Sequence, residues 1–440
     1  MARSISSLFL VLSLVVTSSS LYTNAAVIKP GQQTAMLSLK SAYGYFQGQS
    51  TWQAGKDCSK WQRVQCNSAG DVTHIHFANA MIRFTGVGIA PAFSVLSKLV
   101  FLSLYNNSLT AEISSVLTTL TTLKRLDLSL NRFYGSGASR IWKLSQLTYL
   151  DISHNLLVGP LGAGLGALTS LAYLDVSSNY FRGAIPAAFS NLAKLQYSSF
   201  DACFFTALPP EFPALDPGNL TFSAERNLLM SIPITFPASA AGVFSIDLWG
   251  NLLTTLPTEI ALMTELTVLN LASNQISTPL EEIAWGELAA IEELYLGRNA
   301  INGTIPTDLA ALTTLKHLHL HTNQLYGSLP DELTLLTDLI SLDIGLNPSL
   351  GDGGDFPLGF NELQSLMRLV IVGDDFSGPL PQPALGAETG FYLDARNNSF
   401  TGTPKVQGVC PNAHPYKLRV AWNCLDNEAD CSTNQRVCAR

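Results

Sequence analysis

A pattern of apolar residues that recurs about every 24 residues constrains the fold of this 440-residue chain more than any other feature. One copy consists of Leu99, Leu102, Leu104, Asn107 and Leu109, and the next three copies keep the same spacing. A fixed period of this length indicates a solenoid, in which each coil packs only against its neighbours. A solenoid has no deep catalytic pocket by default but one long open face, so the pattern favours a binding function.

The asparagine position of the repeat can be followed along most of the chain. It is occupied by Asn107, Asn131, Asn155, Asn179, Cys203, Asn227, Asn251, Asn274, Asn299, Asn323, Asn347, Asp374 and Asn398. A weaker copy at 72–82 brings the array to about fourteen coils. An amide at the tight turn after each short strand can satisfy backbone groups that no sheet reaches. Cys203 falls in register and has no positive charge near it in the sequence, so we expect a buried, unreactive thiol there.

The N-terminal segment resembles an export signal. A basic residue, Arg3, precedes a short apolar run at 8–16, and small residues follow up to Ala25 and Ala26. This arrangement predicts a signal peptide at 1–26, with a signal anchor as the alternative. We therefore expect a secreted protein, located outside the cell or in a cell wall, with no membrane insertion after cleavage. The net charge of −8 argues against nucleic acid and anionic membranes as partners.

The other six cysteines all lie outside the repeats, which predicts disulfide-stabilised caps in an exported protein. Cys58 and Cys66 precede the first coil and are expected to form one disulfide. The C-terminal group is expected to form two disulfides in one of three pairings, and a zinc site is the rival interpretation. That group consists of Cys410, Cys424, Cys431 and Cys438. The implied organisation is an N-terminal cap at 27–71, repeats at 72–404 and a C-terminal cap at 405–440.

Four Asn-x-Ser/Thr triplets fit an exported glycoprotein. They begin at Asn106, Asn219, Asn302 and Asn397.

The repeats and the N-terminal cap resemble those of plant extracellular leucine-rich repeat proteins. The segments 183–186, 303–306 and 327–330 follow the LxxLxLxxNxL template with the LxGxIP continuation typical of that class. Residues 58–66 resemble the plant cap pattern C-x-x-W-x-G-V-x-C, with Arg63 in place of the glycine. The resemblance extends to receptor-like proteins, receptor-kinase ectodomains and polygalacturonase-inhibiting proteins. It implies an α/β, right-handed leucine-rich repeat solenoid with a parallel sheet on its concave face.

Outward strand positions between the inward leucines are the candidate ligand-binding residues. The set is Phe101, Tyr149, Tyr173, Tyr197, Trp249, Tyr295, His317, His319 and His321. Stacked tyrosines suit sugar rings or an apolar partner, or else only stabilise the sheet. The alternating histidines could bind a metal or respond to acid pH, or be ordinary solvated side chains. A neighbouring column of aspartates could attract a basic partner.

The sequence contains none of the common enzyme motifs in a supporting context, so we expect neither catalysis nor a cofactor. The leading hypothesis is a secreted recognition protein that binds an extracellular protein, peptide or glycan in defence or signalling. One alternative is an inhibitor of secreted cell-wall hydrolases such as polygalacturonase. Another is a structural or ice-binding solenoid, which flat arrays of Thr or Ser would favour.

Overall fold

A computed structural model describes residues 26–44, 46–82, 88–215, 219–238, 242–382, 391–401 and 417–419. The signal peptide predicted at 1–26, apart from Ala26, lies outside the described residues. The four C-terminal cysteines lie outside them as well.

One large open sheet forms the framework of the described chain, with sixteen strands ordered as in the sequence. Its strands are Val64–Cys66, Val72–His76, Phe101–Ser103, Arg125–Asp127, Tyr149–Asp151, Tyr173–Asp175, Tyr197–Ser199, Leu220–Ser223, Val243–Asp247, Val268–Asn270, Glu293–Tyr295, His317–His319, Ser341–Asp343, Arg368–Val370, Tyr392–Asp394 and Lys417–Arg419. The first strand is antiparallel to the second, and all later pairs are parallel. The last strand lies within the predicted C-terminal cap and pairs with Tyr392–Asp394, so it adds a parallel strand beyond the last asparagine coil.

The repeated leucines fill the interior between the sheet and the opposite side of each coil. Leu150 and Leu174, on adjacent strands, are completely buried, and a single apolar cluster extends from Ile28 to Phe400. Burying one such side chain contributes roughly 1.5–3 kcal/mol before conformational entropy is counted. The predicted solenoid is therefore confirmed, with each coil covering the flank of the next.

The return segments are short 3₁₀ helices with little α-helix. Those along the repeats are Pro91–Val95, Ser115–Thr119, Gly137–Lys143, Ala163–Ala167, Ala187–Asn191, Thr258–Leu262, Leu280–Glu282, Trp285–Glu287, Thr307–Ala311, Asp331–Leu335 and Leu358–Glu362, with a short α-helix at Thr235–Ala238. Three to seven residues are enough to reverse the chain direction at this coil length, and each helix buries at least one large apolar side chain, such as Leu117.

The asparagine at each turn bonds to the backbone of its own coil and the preceding one. The side-chain amide of Asn131 donates to the carbonyls of Leu104 and Leu128, at 2.8 and 3.1 Å, and its oxygen accepts from the Leu109 amide at 3.2 Å. The preceding residue adopts a left-handed conformation even where it is a leucine, as at Leu130 with φ 52°. The repeated hydrogen bonds offset this backbone strain in coil after coil.

Two members of this series are not asparagines. Cys203 is buried, and its Sγ donates to the Val176 carbonyl at 3.6 Å. Burial raises the pKa of this thiol to about 12. The Asp374 carboxylate accepts from the Asn347 amide at 2.8 Å through Oδ1, while its buried Oδ2 has no hydrogen-bond partner in the part of the chain that the structure describes.

The N-terminal cap covers the first coil with aromatic side chains. An α-helix at Pro30–Ala42 precedes two 3₁₀ turns, at Gln49–Thr51 and Cys58–Lys60. The indole rings of Trp52 and Trp61 stack with centroids 5.2 Å apart. A disulfide joins Cys58 to Cys66.

Arg63 adopts a left-handed backbone with φ 68°, which explains why the related pattern has glycine at this position. Its guanidinium donates to the carbonyls of Gln47, His76 and Ala78 at 2.8–3.0 Å, and to the Gln47 side chain at 2.9 Å. These hydrogen bonds compensate for the strained conformation of a residue with a side chain.

Two smaller parallel sheets flank the main sheet. One contains Tyr134–Gly135, Leu156–Gly159, Tyr180–Ala184 and Phe204–Ala207, and the other contains Tyr326–Gly327 and Ser349–Leu350. We refer to the first of these as the lateral sheet. Within the described part of the chain, no helix combines the length and hydropathy needed to cross a membrane.

Candidate ligand-binding face

The solvent side of the main sheet, the concave face, presents two columns of outward side chains. The parallel register places Phe101, Arg125, Tyr149, Tyr173 and Tyr197 side by side on successive strands, and we call this the aromatic column. The second column, two residues further along each strand, contains Asp127, Asp151 and Asp175. We call it the carboxylate column.

The three tyrosines of the aromatic column stack face to face. The ring centroids of Tyr149 and Tyr173 are 4.3 Å apart, and those of Tyr173 and Tyr197 are 4.7 Å apart, with interplanar angles of 7° and 12°. Because the ring faces cover one another, a ligand on this surface would meet ring edges and hydroxyl groups. The predicted stack is therefore present, but it does not offer a flat platform for sugar rings.

The sequence analysis missed Arg125, which interrupts the aromatic column between Phe101 and Tyr149. Its guanidinium carbon lies 3.5 Å from the Tyr149 ring centroid and 5.6 Å from that of Phe101. This geometry is a cation–π stack, which holds the side chain against the sheet. Its buried Nε has no hydrogen-bond partner among the described residues. Arg125 could have been found because it occupies the same repeat position as the tyrosines.

The carboxylate column is less acidic than its composition suggests. Burial, followed by repulsion from Asp175 and Asp127, raises the pKa of Asp151 to about 7. Burial also raises the pKa values of Asp127 and Asp175. Hydrogen bonds from the following serine oppose this effect, since the Ser153 amide and hydroxyl donate to Asp151 at 3.0 and 2.7 Å. Asp151 therefore titrates near neutral pH.

Tyr295, His317 and His319 form a second aromatic group on the concave face. The Tyr295 ring is 4.9 Å from that of His319 and 6.5 Å from that of His317. His319 shares a 2.9 Å hydrogen bond with the Ser341 hydroxyl, and burial together with the neighbouring histidines lowers its pKa to about 3. His319 is therefore neutral at physiological pH. Trp249 is not part of this group.

The two remaining candidates have separate surroundings. Trp249 packs under the Arg226 guanidinium, whose carbon is 4.7 Å from the indole. His321 contacts the Thr322 hydroxyl at 3.1 Å, and burial lowers its pKa. Across the described residues, no group of three or more His, Cys, Asp or Glu side chains could hold a metal ion. The binding roles of all nine candidates stay predictions.

The four predicted glycosylation asparagines are exposed. Asn106 and Asn397 directly precede asparagines of the ladder, at the rim of the concave face, so a glycan on either would partly cover that end of the face.

Comparisons with known proteins agree with this architecture. Models of the leucine-rich repeat family match residues 119–141, 170–192 and 241–301. These matches cover about a quarter of the chain, and its fold is that of a leucine-rich repeat solenoid. No curated protein matches it significantly in sequence.

Solved structures extend the similarity to plant receptors, which confirms the resemblance stated from the sequence. A TDR receptor is 28% identical, with a TM-score of 0.66 over 75% of this chain and 57% of its own. PEPR1–AtPEP1 is 23% identical, with a TM-score of 0.71 over 90% of this chain and 59% of its own. The Arabidopsis receptor kinase HAESA, in complex with the peptide hormone IDA and the co-receptor SERK1, is 23% identical, with a TM-score of 0.64 over 90% and 74%.

The leucine-rich repeat chain thus spans less than two thirds of the first two receptor chains. A plant ice-binding protein shares the fold as well, at 22% identity and a TM-score of 0.54 over 69% of this chain and 90% of its own. The fold alone therefore does not select one ligand.

Proposed function

We propose that this leucine-rich repeat protein is an extracellular recognition protein that binds a peptide, protein or glycan through its concave face. The observation that carries the proposal is that the aromatic column and the carboxylate column lie side by side on the same strands. Tyr149 and Tyr173 lie two residues before Asp151 and Asp175 on the same strands, and Tyr197 pairs with Tyr173 on the next strand. Burial of these carboxyl groups leaves proton donors and acceptors close together, an arrangement typical of functional sites.

This surface favours a ligand that makes many hydrogen bonds, such as an extended peptide or a chain of sugars. The tyrosine rings recur every 4.3–4.7 Å, so a ligand lying across the strands meets a regular row of side chains that each carry a hydroxyl group. Ice binding would require a uniform array of small hydroxyl residues, whereas the aromatic column continues into Thr221 and Ser245 and then into Val268 and Glu293. That mixture favours recognition of a specific ligand over ice. The HAESA complex, which holds a peptide hormone and a co-receptor, is the precedent for a peptide.

The experiment separates the hydroxyl groups from the aromatic stack. The purified protein is screened against an array of cell-wall oligosaccharides and a library of synthetic peptides. A variant with Tyr149→Phe, Tyr173→Phe and Tyr197→Phe retains the stacking but removes the three hydroxyls. We expect its affinity for the selected ligand to fall about tenfold or more. The matched control is Tyr326→Phe, which removes a hydroxyl from the other small sheet.

Unchanged affinity in the triple variant would reject the tyrosine site. Absence of saturable binding on both libraries would reject peptide and glycan recognition and leave a folded protein partner to be sought.

We also propose that the protein is exported and glycosylated. The exposure of all four triplet asparagines supports this proposal. Expression with the leader intact should yield a secreted product that begins near Ala26 and loses mass on deglycosylation. A product retained in the cell with Met1 at its N-terminus would contradict export.

A further inference from the structure

A second surface, on the lateral sheet, carries exposed apolar side chains that the concave face does not explain. On each coil, the residues one and three positions after the repeated asparagine position point outward. A buried apolar residue lies between them. On five consecutive coils these positions hold Tyr134, Leu156, Val158, Tyr180, Phe204, Leu228 and Met230, which we call the lateral strip. Each is 39% to 59% exposed. The Tyr180 and Phe204 rings stack with centroids 6.0 Å apart, so the strip is continuous there.

The lateral strip is a local feature and not a property of the repeat. The equivalent positions on the preceding coil are Ser108 and Thr110, and on later coils they include Thr254, Gln275 and Ser277. Summed over its seven side chains, the strip exposes roughly 500 Å² of apolar surface, since one aromatic side chain carries about 150–250 Å². A patch of this size is comparable with the largest apolar patch of a typical monomer, which is often a functional site.

Two arginines give the lateral strip a positive charge in a protein whose net charge is −8. Arg132 and Arg182 occupy strip positions, are exposed, and make no ion pair or side-chain hydrogen bond within the described structure. The five segments that carry the strip contain no Asp or Glu. The acidic residue beside its first coil is Glu112, which lies 3.8 Å from Arg140. The free charge on the strip is therefore basic.

We infer that the lateral strip is a docking surface for a second protein, whose contacting segment combines apolar side chains with carboxylates. Tyrosine, phenylalanine, methionine and arginine are the residue types enriched at protein interfaces, and a polar boundary is typical of an interface rim. The carboxylates of the partner would pair with Arg132, on the first coil of the strip, and with Arg182, two residues after Tyr180 on the same strand. The apolar area of the strip, roughly 500 Å², is more than half of the roughly 800 Å² that each partner buries in a standard interface.

Charge complementarity decides between this partner and other occupants. A twofold dimer through the strip would place the two arginines of both copies in one interface, and like charges oppose such self-association. An anionic membrane surface attracts clusters of several basic residues, at about 1 kcal/mol each, and the strip has two. None of the predicted glycosylation triplets lies within residues 110–215. Glycans attached to them would therefore not start from the part of the chain that forms most of the strip.

The test uses the full chain and a displayed library of short random peptides as the probe. We expect selected peptides to combine Asp or Glu with aromatic or aliphatic residues. The double variants Tyr180→Ser/Phe204→Ser and Arg132→Glu/Arg182→Glu should each weaken their binding about tenfold or more. Tyr326→Ser is the matched control, because Tyr326 is as exposed as Tyr180 and occupies, on a distant coil, the repeat position of Tyr134. It should bind like the unmodified protein.

Three results would overturn the inference. The first is selection of peptides that lack acidic residues or that bind equally well to both double variants. The second is a dimer in sedimentation equilibrium that the Tyr180→Ser/Phe204→Ser variant dissociates, which would make a second copy the occupant. The third is binding to phosphatidylserine vesicles that the arginine variant abolishes, which would assign the surface to a membrane. All variants change exposed side chains, and unchanged thermal unfolding would verify that they fold.

Discussion

Replacing the one acidic member of the asparagine series should stabilise the protein in a pH-dependent way. Asp374 lies in register with the ladder, where an asparagine amide donates to two backbone carbonyls. A carboxylate cannot donate, and its Oδ2 is buried with no partner in the described structure. Burial is the main cause that raises the pKa of Asp374 to about 8. The folded protein therefore keeps this carboxyl group protonated at neutral pH, where the unfolded chain ionises it.

The sign and size of the effect follow from this difference in proton binding. Because the folded pKa is raised from 3.8, the stabilising contribution is complete below about pH 4 and is lost as the pH rises through about 8. Each unit of pKa difference corresponds to about 1.4 kcal/mol, so at pH 7 the unmodified protein should have lost roughly 4 kcal/mol of local stability. Asp374→Asn removes this dependence and restores an amide donor. The difference in local stability between the Asp374→Asn variant and the unmodified protein should grow from near zero at pH 4 to its maximum near pH 8.

Hydrogen exchange measures this change where it occurs, which matters because distant coils of a solenoid unfold semi-independently. The amide of Asn347 donates to Asp374 and is the natural reporter. We expect Asp374→Asn to slow its exchange at pH 7 by a factor of about 1,000, which corresponds to roughly 4 kcal/mol. An amide in a distant N-terminal coil, such as that of Leu109, should be unaffected. A variant that exchanges faster at pH 7, or an advantage that does not change between pH 4 and pH 8, would refute the reasoning.

Three further predictions concern single residues. Arg63→Ala should lower the free energy of unfolding of the cap by about 2–3 kcal/mol, and Arg63→Gly by less, because glycine tolerates the left-handed backbone. Urea unfolding followed by Trp fluorescence would measure both variants, and an Arg63→Gly variant less stable than Arg63→Ala would contradict the prediction. Cys203 should resist alkylation at pH 8 until urea unfolds its coil, since burial raises its pKa to about 12; rapid labelling of the native protein would be inconsistent with this environment. The ring resonances of His319 should not titrate between pH 5 and pH 7, because its pKa is about 3; a midpoint near 6 in an NMR titration would disprove its burial.

The sequence was sufficient to predict the solenoid, because every coil repeats the same spacing between Leu102-type and Asn107-type positions. It also predicted the stacked tyrosines, since equal repeat positions become neighbours on a parallel sheet. It could not predict that the tyrosine faces cover each other, which depends on side-chain rotamers. The left-handed backbone at Leu130 was not predicted either, because leucine ordinarily avoids it, and the hydrogen bonds of the next residue impose it.

Charge and exposure were harder to predict than the fold. Arg125 was not predicted as a site residue because only aromatic side chains were considered at its repeat position, although a cation there can stack on the neighbouring ring. The carboxylate column was read as acidic, yet burial raises the pKa of Asp151 to about 7. The lateral strip was missed because positions beside a buried residue, such as Tyr180, are polar in many repeats, and only the lateral sheet shows which side chains align.

Hydrogen exchange of the protein with and without a ligand selected in the array and library screen tests the proposed function most directly. Protection should concentrate on the adjoining strands Tyr149–Asp151, Tyr173–Asp175 and Tyr197–Ser199, with the 3₁₀ helices on the opposite side unchanged. Protection confined to those helices, or to the lateral sheet, would show that the ligand does not bind the concave face.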